Sequence, residues 1–151
     1  MSQNNNYLAL AFQPLKKYAD FSGRATRMEY WLFTVLSFFL IVTPMILAAI
    51  TLAIGEKMRE DIIMGIGVIF LCLGLLVALA MLLPMLAVAI RRLHDTNRSG
   101  WFYLLSVIPI INYIGGIVLL VFYCLDGDVG TNQYGADPKG RGDSLDKDHS
   151  I

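Results

Sequence analysis

The chain has 151 residues, of which 56% are hydrophobic and only 16% charged, and its mean hydropathy is +0.60. An ordinary water-soluble domain carries about a quarter charged residues, so this composition excludes one and points to lipid as the solvent. Twelve basic and twelve acidic residues cancel, which removes any global pull toward nucleic acid and leaves attraction to anionic lipid to uneven placement of the charges.

The chain opens on a polar, Asn-rich stretch, Met1 to Tyr7, without the basic start and early apolar core of a cleavable signal peptide, so its first residues are expected to be retained. Residues 1–21 read as an N-terminal cytoplasmic segment with a short interfacial helix. Pro14 is expected in the first turn of that helix, which runs through Tyr18. Leu15, Tyr18 and Phe21 are apolar there, and Lys16 and Lys17 are polar, as in a segment lying on a membrane surface. Thr26 followed by Glu29 fits a capping box just ahead of an apolar run, with Ser22 as an alternative cap one turn earlier.

Residues 22–125 form the expected membrane domain. Asp, Glu, Lys and Arg are absent from Tyr30 to Gly55, from Ile62 to Ile90 and from Trp101 to Leu125. Each run exceeds the roughly 20 residues that a bilayer-crossing helix needs. The fold class that follows is an all-α integral membrane protein: a small bundle of three transmembrane helices over about 30–55, 62–90 and 101–125, plus the interfacial helix. Tyr30, Trp31 and Phe33 open the first run and Trp101, Phe102 and Tyr103 the third, as interfacial anchors do. Lys16, Lys17, Arg24 and Arg27 precede the first span and Arg91, Arg92 and Arg98 follow the second, whereas the hairpin between them has only Lys57 and Arg59. The positive-inside rule therefore puts the N-terminus in the cytoplasm and Glu56 to Asp61 outside.

Helices in lipid associate through small residues and a few hydrogen bonds. Gly67, Gly74 and Ala78 share a face of the second span, Ala49 and Ala53 repeat the small-residue spacing in the first, and Asn112 is the polar packing candidate of the third. That third run is expected to be kinked or re-entrant, because Pro109, Asn112 and Gly115-Gly116 interrupt its middle. In the re-entrant form Trp101 to Val107 descends, Pro109 to Asn112 turns and the remainder returns. The two forms put the polar tail, residues 126–151, on opposite sides. Cys72 and Cys124 lie in apolar runs and suggest neither a disulfide nor a metal.

Three clusters remain: Phe21 to Trp31, then Arg91-Arg92-Leu93-His94-Asp95 through Ser99-Gly100-Trp101, then Gly127 to Pro138 with Asn132, Tyr134-Gly135 and Asp137-Pro138. On these residues the chain resembles the YhaH-like bacterial inner-membrane proteins, a domain of unknown function numbered 805, from about Tyr18 to Pro138. The resemblance implies a multi-pass location in the bacterial inner (plasma) membrane and no established activity. Many members have glycine where this chain has Asn97, and asparagine, the commonest non-glycine residue at positive φ, keeps such a turn possible.

The first two clusters meet in one cytoplasmic layer, which brings Arg24, Arg27, Glu29, Arg91, Arg92, His94, Asp95 and Arg98 together. Two uses compete for them. One is ion pairing that fixes topology and staples the helix ends, for example Glu29 with an arginine of the second cluster. The other is a site for an anionic headgroup or phosphate, which guanidinium forks bind bidentately. No catalytic residue is expected: His94 and Asp95 are adjacent and diverge on a helix, and no nucleophile pairs with them. No cofactor or metal is expected either. There is no His/Cys cluster or phosphate-cradling glycine loop, and the calcium-loop echo from Asp126 to Asp137 has Thr131 where glycine belongs. Gly127, Gly130 and Gly135 are expected to make turns that set Tyr134 against the membrane surface. The expected function is a non-enzymatic membrane protein that binds anionic phospholipid, a membrane protein partner or a second copy of itself through the arginine-rich face, with no role for nucleic acid. The rival is a small transporter or channel subunit acting as an oligomer, for which Ser37, Thr43 and Asn112 are the available polar groups.

Overall fold

A computed structural model describes residues 7–142. The Asn-rich start and the end of the tail, with Lys147, lie outside them. The regular structure of the described residues is helical, with one isolated bridge between Asn132 and Gly135 and turns or irregular chain between the helices and after Cys124. In order they form α1 (Tyr7–Lys16), α2 (Arg27–Met58), α3 (Asp61–Asp95), a 3₁₀ segment (Gly100–Ser106) and α4 (Ile111–Cys124). The chain divides into two compact units, residues 34–83 and the remainder.

The first unit is a helical hairpin. Its turn is tight: Arg59 takes a left-handed conformation (φ 54°), Glu60 N–H donates to the Gly55 carbonyl at 3.0 Å, and Arg59 N–H donates to that of Glu56 at 3.4 Å. This is the paired-bond C-cap that satisfies the last carbonyls of α2 and lets α3 begin two residues later. Glycines set how closely the two helices run. A Cβ on Gly55 would stand 2.6 Å from the Met64 side chain, one on Gly67 2.7 Å from Leu52, and one on Gly74 2.8 Å from the Met45 sulfur. Gly67 and Gly74 thus face α2, and Ala78 is half-buried. On α2, Ala49 and Ala53 are exposed, contrary to expectation; the buried positions are Pro44, Ala48 and Gly55, one helical stripe away. Apolar side chains cover the outside, among them Phe39, Ile69, Leu76 and Leu79, each at least 60% exposed. Water does not tolerate a continuous apolar surface of this kind, and the core helix of a soluble protein would hide it. α2 and α3, of 32 and 35 residues, are about 48 and 52 Å long and exceed the roughly 30 Å of hydrocarbon in a bilayer. Both are thus long and apolar enough to cross a membrane.

The second unit holds α1, the first turns of α2, the last turns of α3, and everything after Asp95. α1 begins at Tyr7, earlier than expected, so Pro14 falls in its last turns instead of its first. Thr26 caps α2 as expected, accepting the Glu29 N–H at 3.1 Å. The reciprocal half of the capping box is replaced, because the Glu29 carboxylate reaches across to Arg91.

The third apolar run is not one continuous spanning helix. α3 ends with Asn97 at φ 56°, with Arg98 N–H donating to the Leu93 carbonyl and Asn97 N–H to that of His94, both at 3.0 Å, the same C-cap as in the first unit. The 3₁₀ segment follows at once, the chain turns through Pro109 and Ile110, and α4 packs back against that segment. Ile110 is a β-branched residue at φ 74°, a backbone region that costs about 1–3 kcal/mol. Gly115 permits the return, since a Cβ there would lie 2.5 Å from the Leu105 carbonyl oxygen. With 14 residues, α4 is about 21 Å long, too short to cross alone. Asn112, expected as a packing residue, lies exposed in its first turn, because α4 starts only at Ile111. The core of this unit is Ala89, Leu93, Leu119 and Tyr123, with Tyr30 and Trp31 packed on it.

Candidate functional site

The residues singled out in the first two clusters do meet, and they meet around Asp95. The Arg24 Nε donates to Asp95 Oδ1 at 2.9 Å, and the Arg92 guanidinium pairs with the other carboxylate oxygen. Arg91 pairs with Glu29 at 2.9 Å, and Arg24 also lies 3.9 Å from an oxygen of Asp137. Three cations thus face three anions, and none of the six side chains is more than 4% exposed.

Backbone carbonyls take most of the remaining donors. Arg24 donates to the carbonyls of Gly130 at 2.6 Å and of Asp128, and Arg92 to those of Tyr123 at 3.2 Å and of Leu125. These bonds tie the end of α4 and the segment after it to the end of α3, so the two ends of the run from Gly100 to Leu125 lie near the same helix terminus. On Arg91, Nε and Nη2 have no hydrogen-bond partner among the described residues.

The segment from Asp126 to Gly142 is docked, not a loose polar tail. Asp128 N–H donates to the Asp95 carbonyl at 2.9 Å, and the Asn132 side-chain amide donates to that of His94 at 2.9 Å. Gly127 passes directly over the central carboxylate, where a Cβ would lie 2.0 Å from Asp95 Oδ2. The Tyr134 ring, expected against the membrane surface, stacks on His94, centroids 3.8 Å apart and planes 2° from parallel. Outside the buried set, Asp126 is shared by Lys139, Arg141 and Arg27. The hydrogen bond from Lys139, the Gly127 amide and the nearby cations hold its carboxyl well down, at about 2. Burial pushes the Asp137 carboxyl up, but the Arg141 side chain and the amides of Lys139 and Arg141 outweigh it and leave it below its ordinary value.

Arg27 and Arg98 sit at the rim: Arg27 is 42% exposed, and Arg98 lies over the Phe122 ring at 4.0 Å. Asp126, Asp137, Lys139 and Arg141 were missed as site residues, although Asp137 lies in the third cluster and Asp126 immediately before it. Their signal was the unusual density of Asp and Gly immediately after an apolar run. For an anionic headgroup the geometry is unfavourable at the centre, because the guanidiniums of Arg24 and Arg92 are spent on Asp95 and on carbonyls, and that of Arg91 is buried against Glu29.

A family model described as "Protein of unknown function (DUF805)" matches residues 18–136, which hold both arginine clusters and most of the docked segment. The chain belongs to that family. It is 46% identical over 125 residues to "Inner membrane protein YhaI" of Escherichia coli (strain K12), a match covering 83% of this chain and 91% of the relative. To "Inner membrane protein YhaH" of the same strain it is 39% identical over 125 residues, covering 83% and 92%. No solved structure matches the chain. The family relation and the two long apolar helices make this a bacterial inner-membrane protein of an uncharacterised family.

Proposed function

We propose that the chain is a non-enzymatic protein of the inner membrane that crosses it twice, with its N-terminus in the cytoplasm, and binds anionic phospholipid there through cations outside the buried network. The observation that carries this reading is the burial of that network: with Arg24, Arg91 and Arg92 each held inside it by a buried carboxylate, headgroup binding falls to the outward cations. Lys16 and Lys17 edge a groove of about 310 Å³ beside α1, whose other walls are Ala9, Leu10 and Gln13. Arg27 adds a half-exposed guanidinium at the start of α2. Clustered ammonium groups beside an apolar helix face suit the interface of an anionic leaflet, where each contributes about 1 kcal/mol.

In this reading the run from Gly100 to Leu125 dips into the same leaflet and returns, which accounts for its apolar surface and short helices. The absence of catalysis rests on the partners of the two best acid-base candidates. Asp95 is held by two guanidiniums, and His94 Nδ1 lies against the Gly23 carbonyl, so the aspartate does not orient the imidazole as a general base.

The test is retention of phosphatidylglycerol by the detergent-released protein in native mass spectrometry. Lys16→Ala combined with Lys17→Ala is expected to lower the number of retained lipids with little change in thermal stability. Unchanged retention in that double variant would contradict the proposal.

A further inference from the structure

A second cavity, of about 510 Å³, opens beside the last turns of α3 and is lined by no aspartate, glutamate, lysine or arginine. Leu86 and Ile90 form its wall on α3, and Leu104 and Val107 form the wall opposite. Polar atoms enter the lining from His94 and Ser99 and from the tips of Trp101, Tyr103 and Tyr134. A long apolar wall with a few convergent polar groups is the arrangement that binds an amphiphile, chain along the wall and head at the polar groups.

The His94 ring decides which head is recognised. Its Nδ1 lies 3.2 Å from the Gly23 carbonyl oxygen, which can only accept, so in the neutral ring Nδ1 carries the proton and Nε2 is left as an acceptor. The stack on Tyr134 fixes the ring plane. Gly100 keeps the Nε2 edge accessible: a Cβ there would stand 3.4 Å from Nε2 and 2.7 Å from the Ile90 side chain. The adjoining Ser99 accepts the Trp101 N–H at 3.4 Å through its oxygen, which leaves its own O–H as a donor. An acceptor and a donor in neighbouring positions match a hydroxyl group, which presents one of each.

We infer that this cavity binds an uncharged long-chain lipid through a headgroup hydroxyl, which donates to His94 Nε2 and accepts from Ser99. The site is separate from the lysine-edged groove and differs from it in the charge of the lipid it selects. Anionic lipid has no cation to meet here, because no lysine or arginine lines the cavity.

The full chain in mild detergent is titrated with monooleoylglycerol and, separately, with methyl oleate, which has the same chain and no O–H; native mass spectrometry reads the adducts. One monooleoylglycerol adduct is expected, about ten-fold tighter than methyl oleate. Gly100→Val, which fills the corner beside Nε2, is expected to remove that preference. Leu104→Trp narrows the apolar wall without touching His94 or Ser99, and is expected to weaken both lipids while phosphatidylglycerol adducts persist. Equal retention of the two oleoyl lipids, no adduct at all, or unchanged binding in a normally melting Leu104→Trp protein would overturn the inference.

Discussion

Asp95 is the residue on which the second unit turns, because one carboxylate is shared by two buried guanidiniums from different parts of the chain. Removing one partner of a buried ion pair costs about 3–5 kcal/mol, since the other charge is left without compensation. Asp95→Asn is therefore expected to lower stability by that order, read as a lower denaturation midpoint in detergent micelles. Gly127→Ala should destabilise as well, because its Cβ has no room above the same carboxylate. Asp126 behaves differently, being exposed and held at about 2 by Lys139 and its neighbours. A depressed carboxylate contributes stability that is fully present above its unfolded value of about 3.9 and is lost as pH falls through its folded value. Hydrogen exchange of the segment around Asp126 should thus stay protected at pH 4 and open only as pH approaches about 2. Six of the ion-pair partners, Arg24, Arg27, Glu29, Arg91, Arg92 and Asp95, were legible in the sequence, as was the pairing of Glu29 with an arginine of the second cluster. Which carboxylate would sit at the centre was not legible, because that depends on Gly127 and Asp128 closing over Asp95 from more than thirty positions away.

α2 and α3 were readable from the absence of charge alone, to within a few residues at each end. The C-cap at Asn97 was readable too, since asparagine tolerates the left-handed region that the cap requires. The third run was not, because Pro109 and the glycine pair permit a kinked helix as well as a return. What separates them is the close approach of Gly115 to Leu105 and the grip of Arg92 on the Tyr123 and Leu125 carbonyls, neither of which periodicity reveals. Two substitutions probe this element. Gly115→Leu should force the 3₁₀ segment and α4 apart, and the loss should exceed that of an equally large change at exposed Gly116, where a Cβ meets nothing. Ile110→Gly should relieve an exposed residue of its strained backbone and raise stability by about 1 kcal/mol, net of the extra freedom glycine gains on unfolding.

Across the whole chain, the net charge of zero conceals a division of labour. Apolar helices meet lipid, three arginines are spent internally on folding the second unit, and a few outward cations remain at its surface. The internal arginines also bind the segment after α4 to the end of α3, so the positively charged sequence that orients the protein and the tail that follows the third apolar run belong to one structure. This is the central claim, and with the proposed topology it predicts the side of the membrane on which a fusion to the chain's end lies. Reporter fusions at Ile151 test it directly: a green fluorescent protein fusion should fluoresce and an alkaline phosphatase fusion should be inactive, placing the C-terminus in the cytoplasm with the N-terminus. An active phosphatase fusion, with a dark fluorescent one, would put the tail outside and contradict the account.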